Sequence, residues 1–327
     1  MPDKITTMQV PYCPVCGDCG LVRYSNVIDL LFGAEGSWSI SKCKNNSCGI
    51  LWLNPRPIRE DIYKAYRTYY THESASKLSI IRHFKVLLLQ IIIKLATLFM
   101  SLSREKFELS SLYLHGATPG RLLEVGCGNG YYLDYMKKKG WAVDGLDFDP
   151  MAATAALKKY GIPITIGSIE ESSYSDDTFD AIIMKHVIEH VYDPISTINI
   201  AFRKLKIGGR LIVITPNAES YGLHKFGKYW RGLEPPRHIH IFSSRSLETI
   251  AKRAGFSEAF VHTTAANAWT ILMSSIKLLG VRNSRINKII KSPLRLLIYA
   301  LKYQYEEAKA NKKLLNVGEE CILQATK

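Results

Sequence analysis

Four histidines and one glutamate stand where they can do proton chemistry. His186, Glu189 and His190 follow one another at i, i+3 and i+4, the spacing of one face of a helical turn. His238 and His240 alternate along a short extended stretch, with Arg237 beside them. An imidazole with its ordinary pKa of about 6.5 can take a proton from an acceptor hydroxyl or carbon near neutral pH. The same donors suit a divalent metal that lowers the pKa of an acceptor. They also suit the plainer task of capping and packing a loop. The residue types alone leave these three readings open.

A second constellation lies upstream, in R-L-L-E-V-G-C-G-N-G from Arg121 to Gly130. Leu122 to Val125 is long enough for a buried parallel strand. The glycines after it let the backbone turn sharply and approach a ligand closely. Tyr131 to Lys139 reads as a helix with a lysine-rich end, and Gly140 stops it. Trp141 to Leu146 reads as a second strand, with Asp147 at its carboxyl end. A nucleotide-type ribose takes an acidic acceptor about 20 residues beyond such a loop. Asp147 lies 21 residues beyond Gly126.

Strand, glycine loop, helix, strand and acid together resemble motif I of the class I S-adenosylmethionine (SAM) methyltransferases. The resemblance covers about 117–265, where the core is similar to the ubiquinone-biosynthesis-like group. Phe179-Asp180 and Gly208-Gly209 match later motifs of that family in the expected order. The resemblance implies a Rossmann-like, seven-stranded α/β sheet and SAM as methyl donor. By position, the SAM amino acid meets Gly126, Cys127, Gly128 and Gly130, with Glu124 nearby, and Asp147 takes the ribose hydroxyls. Phe148 is placed to pack on adenine. The family often has an aspartate where this chain has Ser168, so adenine recognition passes to the Ser168 hydroxyl or to nearby backbone, Ile169 included. Glu124, Asp147, Ser168 and Lys185 converge on one crevice if ligands bind outside the carboxyl ends of the strands. Related ubiquinone-pathway and small-RNA methyltransferases bind metal through E-x-x-E-H; here His186 replaces the first glutamate.

Five of the seven cysteines fall in residues 13–48. Cys13-Pro-Val-Cys16-Gly is a tight knuckle and Cys43-x₄-Cys48-Gly a looser one. Two short-spaced pairs of thiolates can surround one Zn²⁺ tetrahedrally. The segment is too short to hold a core by itself, so a Cys₄ zinc ribbon over 1–57 is expected, with Cys19 spare. The ribbon, N-P-R-P at 54–57 and E-P-P-R-H-I-H-I-F-S at 234–243 together resemble bacterial methyltransferases encoded with sugar and surface-polysaccharide enzymes. That architecture implies a sugar or glycan precursor, free or lipid-linked, as acceptor, with O- or C-methylation. A quinone or another small aromatic is the alternative acceptor, and a non-catalytic ribbon-bearing interaction protein the reading outside enzymes.

The formal charge of +14 is uneven. Residues 117–265 hold 18 basic and 16 acidic side chains, residues 77–106 hold 6 and 1, and residues 266–313 hold 10 and 2. A nearly neutral core argues against a nucleic-acid groove around the glycine loop. Between ribbon and core, 58–116 reads as a helical linker containing a helix from Glu60 to Tyr70 and the apolar run 78–102. Lys94 in mid-run disfavours a membrane span. The domain from 117 to 327 carries a basic helical insertion at about 266–314. The apolar run reads first as a helix buried against the core or a partner and next as an interfacial one, which with residues 285–305 would form a peripheral-membrane surface. Residues 1–20 are polar and show no cleavable leader, so a cytoplasmic enzyme at or near the inner face of the membrane is expected. Tyr221 to Pro236, basic and aromatic, reads either as a mobile loop over the substrate or as ordinary surface.

Overall fold

The structure is a computed structural model that describes residues 4–67, 92, 94–281, 283–314 and 316–327. The amino-terminal part begins with β1 (Thr7–Met8), β2 (Gly20–Val27), β3 (Trp38–Cys43), β4 (Leu51–Leu53) and β5 (Arg56–Pro57). Strand β1 pairs antiparallel with β5, and β2, β3 and β4 form a meander. A 3₁₀ turn at Ile62–Tyr66 stands where a helix to Tyr70 is expected; residues 68–70 lie outside the described residues. Most of the apolar run 78–102 lies outside them too. Its described end is helical over 94–99, and Ser101, at φ 57°, breaks the run before α1 (Ser103–Ser110).

The core follows as β6 (Arg121–Val125), α2 (Tyr131–Lys138), β7 (Ala142–Asp147), α3 (Pro150–Tyr160), β8 (Thr165–Ile166), β9 (Phe179–Lys185), α4 (Pro194–Lys204) and β10 (Leu205–Pro216). Then come α5 (Tyr221–Phe226), β11 (His240–Ile241), α6 (Ser244–Arg253) and β12 (Glu258–Thr264). The basic insertion is three helices, α7 (Ala268–Gly280), α8 (Ser284–Ile290) and α9 (Pro293–Leu314), and β13 (Glu320–Thr326) ends the chain. Seven strands make one sheet in the order β12-β13-β10-β9-β6-β7-β8. Strands β8, β7, β6, β9 and β10 are parallel, and β13 runs antiparallel between β10 and β12.

Local chemistry explains these elements. Leu122, Leu123, Ile182 and Ile183 are fully buried, as strands covered by helices on both faces require. Asp149 caps α3 by accepting from the Met151 amide at 2.8 Å, with Pro150 in the first turn and Gly161 in the left-handed conformation past its end. Asp193-Pro194 starts α4 in the same way. From β6 the chain moves outward to β7 and β8, then crosses back to β9 on the other side of β6. The crevice of this open sheet therefore lies between the loops after β6 and β9.

The amino-terminal sheet is completed from the core. Strand β11 pairs antiparallel with β4, His240 opposite Trp52, giving the order β11-β4-β3-β2. Cys13, Cys43, Cys48, Ile50 and Trp52 share one apolar cluster with Phe242, Leu247, Ile250 and Phe256. The stretch Tyr221 to Pro236 is packed structure, not an open loop. Leu223, Phe226, Trp230 and Leu233 are buried, and Glu319 accepts from the Trp230 indole at 2.6 Å and the Gly222 amide at 2.8 Å.

Candidate functional site

The loop after β6 holds Gly126, Gly128 and Gly130 at φ 67°, 52° and 75°, which side chains with a Cβ rarely adopt. A Cβ on Gly126 would sit 2.4 Å from Val187 Cγ2, so the loops after β6 and β9 touch there. A Cβ on Gly128 would meet nothing within 4 Å, so open space lies on that side of the turn. Asp147 draws the turn closed, Oδ2 accepting from the Gly128 amide at 2.7 Å and Oδ1 from the Asp149 amide at 2.9 Å. Each carboxylate oxygen keeps acceptor capacity for a further donor. Cys127 is buried, and burial pushes its thiol up, so it offers backbone and not a nucleophile.

Glu124 is 3% exposed and its Oε2 has no hydrogen-bond partner among the described residues. Burial pushes its pKa up to about 8, with Lys185 opposing and Asp147 adding to the rise. A buried carboxyl oxygen with no partner among the described residues, at the end of the strand that leads into this turn, can accept from a cationic amino group. Lys185 donates to the Tyr132 hydroxyl at 2.5 Å and lies 4.1 Å from the centre of that ring. Phe148 is 65% exposed, leaving a ring face for adenine, and meets the Tyr66 ring at 5.7 Å. Ser168 donates to Glu171 Oε2 at 3.3 Å, which brings a carboxylate to the place where the hydroxyl or nearby backbone is expected. For Ile169 the expectation is its backbone. Its side chain is 1% exposed within the core cluster of Val125, Leu146 and Met184, leaving only its backbone for a ligand.

The histidines do not share one face. Residues 186–190 form an irregular turn in place of a helical one, and His186, at φ 55°, points to Glu320 with Nε2 at 2.9 Å and to Glu189 Oε1 with Nδ1 at 3.3 Å. Burial opposes its charge, but these two carboxylates win and raise its pKa to about 10. A cationic imidazole is no base, so His186 leaves the list of proton acceptors. His240 leaves it too. It is 1% exposed, paired opposite Trp52 in β11 and 6.0 Å from the Phe242 ring, and burial lowers its pKa to about 3.

His190 and His238 come together, ring centres 4.8 Å apart. His190 Nδ1 donates to the Arg237 carbonyl at 3.0 Å, with the Tyr66 hydroxyl 3.1 Å from the same nitrogen. His238 Nδ1 donates to the Gly232 carbonyl at 2.7 Å. Because a carbonyl only accepts, both rings carry a proton on Nδ1, which puts the lone pair of the neutral tautomer on Nε2. Burial lowers the His238 pKa to about 4 against the pull of Glu234, so it is neutral at pH 7. Glu189, fully buried, accepts from Thr215 Oγ1 at 3.0 Å. One ligand atom each from Glu189, His190 and His238 lie within 4.8 Å of one another. Tyr66 is the residue that sequence reasoning passed over. It joins Phe148 to His190, and the ribbon side of the chain supplies it, far from either in sequence.

At the amino terminus, Cys13 and Cys48 sulfurs lie 3.7 Å apart and Cys16 and Cys43 sulfurs 3.4 Å apart, all four within 4.8 Å of one another. A tetrahedron of Zn–S bonds about 2.3 Å long has edges of about 3.8 Å, so the four fit one ion. Cys19 is exposed and apart.

A parallel sheet with the β7 acid drawn onto the β6 glycine turn, and one antiparallel strand wedged beside β10, defines the fold: it is the Rossmann-like sheet of the class I SAM-dependent methyltransferases. Residues 100–258 match the family model described as a methyltransferase domain. Over 136 residues the chain is 34% identical to a "Probable S-adenosylmethionine-dependent methyltransferase" of Mycolicibacterium smegmatis, covering 41% of this chain and 51% of that one. Over 110 residues it is 34% identical to a ubiquinone biosynthesis O-methyltransferase of Alkalilimnicola ehrlichii, covering 32% and 44%. The chain thus spans about half the length of these curated relatives. Among solved structures, Haemonchus contortus phosphoethanolamine N-methyltransferase 2, bound to phosphomonomethylethanolamine and S-adenosylhomocysteine, aligns with 92% of this chain and 72% of its own at a TM-score of 0.50. At 16% identity that likeness speaks for the fold alone.

Proposed function

We propose that the protein transfers a methyl group from SAM to a hydroxyl or carbon of a small sugar-type acceptor. The observation that carries the reading is a pair of imidazoles, His190 and His238, each with its Nδ1 proton on a carbonyl, on the loop side that meets the Gly126 turn at Val187. SAM is already activated, so catalysis consists of positioning and of removing the acceptor proton. Glu124 and the 126–130 turn hold the amino acid end, Asp147 the ribose, and Phe148 with the Ser168–Glu171 pair the adenine. His190, half-buried beside Tyr66, takes the acceptor proton on Nε2. His238, buried and neutral, sits behind it. The four amino-terminal cysteines hold a structural zinc ion.

The sugar reading is supported by the ribbon and by the 234–243 stretch, which resemble those of polysaccharide-pathway enzymes. The matched relative that is a ubiquinone O-methyltransferase favours an aromatic hydroxyl instead. Transfer of labelled methyl from SAM to nucleotide sugars, lipid-linked glycans and catechols separates the two. Labelled sugar product that is lost in His190→Ala supports the proposal, and turnover of catechols alone overturns the sugar assignment. A second reading, a divalent metal held by Glu189, His190 and His238, is favoured by the convergence of their ligand atoms. It requires that exhaustive chelation abolish turnover and that Mg²⁺ or Mn²⁺ restore it.

A further inference from the structure

Helix α9 has two faces of different character. Leu296, Leu297, Ala300, Gln304, Glu307 and Ala308 are buried, packing the helix onto its own protein. The opposite face carries Leu294, Ile298 and Tyr305, which are 60%, 55% and 43% exposed, beside exposed Lys291, Arg295, Lys302 and Lys309. Helical spacing puts the three apolar side chains along one edge and Arg295, Lys302 and Lys309 along the next, with Lys291 two residues before the helix. The apolar edge continues onto a second segment. Phe99 is 79% exposed and its ring lies 6.1 Å from that of Tyr305. Leu95 and Leu98 beside it are also exposed, as is Lys94. Among the described residues the acids of α9 pair only one of these cations, Lys302. Glu307 is buried, and Glu306 accepts from Tyr221 at 2.6 Å, with Lys302 4.0 Å away.

We propose that this face is a docking surface for an anionic lipid bilayer. Large apolar side chains left in water beside a row of cations match a membrane interface, where the former enter the acyl boundary and the latter meet acidic headgroups. No described helix is long and apolar enough to cross a membrane, so attachment is peripheral and salt-sensitive. The charge pattern favours lipid over a second copy of the chain, because a like-charged face repels itself. The inference rests on the exposed face and is independent of the identity of the methyl acceptor.

Vesicle flotation of the full chain tests it. Vesicles of phosphatidylcholine with one quarter phosphatidylglycerol should carry the protein at low salt, and phosphatidylcholine alone should not. Lys291→Gln with Arg295→Gln and Lys302→Gln should weaken partition by roughly a hundredfold. Phe99→Ser with Ile298→Ser should also reduce it, while SAM binding and circular dichroism stay as in the wild type. Absence of flotation at low salt by a folded wild type overturns the proposal. So does a dimer in sedimentation that the Phe99 and Ile298 changes dissociate while flotation is absent, since the occupant is then a second copy.

Discussion

In the proposed reaction Glu124, His190 and His238 carry the chemistry, and each makes a distinct demand. A carboxylate held near a pKa of 8 by burial binds a cation only once it has lost its proton. SAM affinity should therefore rise with pH up to about 8, falling by up to about tenfold per pH unit below that. Titration calorimetry at pH 6, 7 and 8 reads this directly. Glu124→Gln should flatten the profile and weaken binding, yet leave the free protein as stable or more so, because a neutral amide replaces a buried, unpartnered carboxylate. His190→Ala should lower kcat by roughly 10²- to 10⁴-fold with SAM affinity unchanged, the signature of a lost base. His240→Ala removes only a core side chain, and its effect should appear in Tm before it appears in kcat.

Elements set where those residues meet, and the glycine turn and the β9 loop are where a change of backbone tells most. Gly126→Ala faces both a left-handed φ and Val187, and should cost roughly 1–3 kcal/mol of stability along with SAM binding. Gly128→Ala has open space around its Cβ, so it should cost only about 1 kcal/mol of stability while filling room that the ligand needs. In the β9 loop, His186 is cationic to about pH 10 through Glu189 and Glu320. A raised histidine pKa stabilises fully below its unfolded value of about 6.5, and that contribution fades as pH rises toward 10. Melting temperature should therefore decline over this window more steeply in the wild type than in Glu320→Gln, which differential scanning fluorimetry will resolve. The glycine turn was readable from sequence because its parts are contiguous and each has a local job. The loop after β9 was not. The i, i+3, i+4 spacing implies a helical face, but the left-handed φ at His186 turns that ring toward β13, and partners on β13 have no sequence signal at β9.

At the scale of the whole molecule, the amino-terminal cysteine unit and the methyltransferase core are one packed body. The core was legible from strand and helix periods, and the cysteine pairing from spacing. Their union was not, because it runs through β11, a two-residue strand too short to show any alternation, and through Tyr66, whose neighbours Phe148 and His190 come from distant loops. This union has a consequence for metal removal. With Cys43 and Cys48 in the same apolar cluster as Leu247 and Ile250, loss of zinc should lower the melting temperature of the entire chain as one transition. Metal analysis should find about one zinc per chain in the wild type and none in Cys43→Ser with Cys48→Ser. A lone early transition that leaves the core melting unchanged would separate the two units.

The central claim is that the crevice between the β6 and β9 loops takes SAM. Calorimetric titration of SAM and S-adenosylhomocysteine into the wild type and Asp147→Ala tests it most directly. Micromolar binding to the wild type, weakened at least about tenfold or roughly 1.4 kcal/mol in the variant, is the predicted result. A folded wild type that binds neither ligand, or an Asp147→Ala variant that binds as tightly as the wild type, would contradict it.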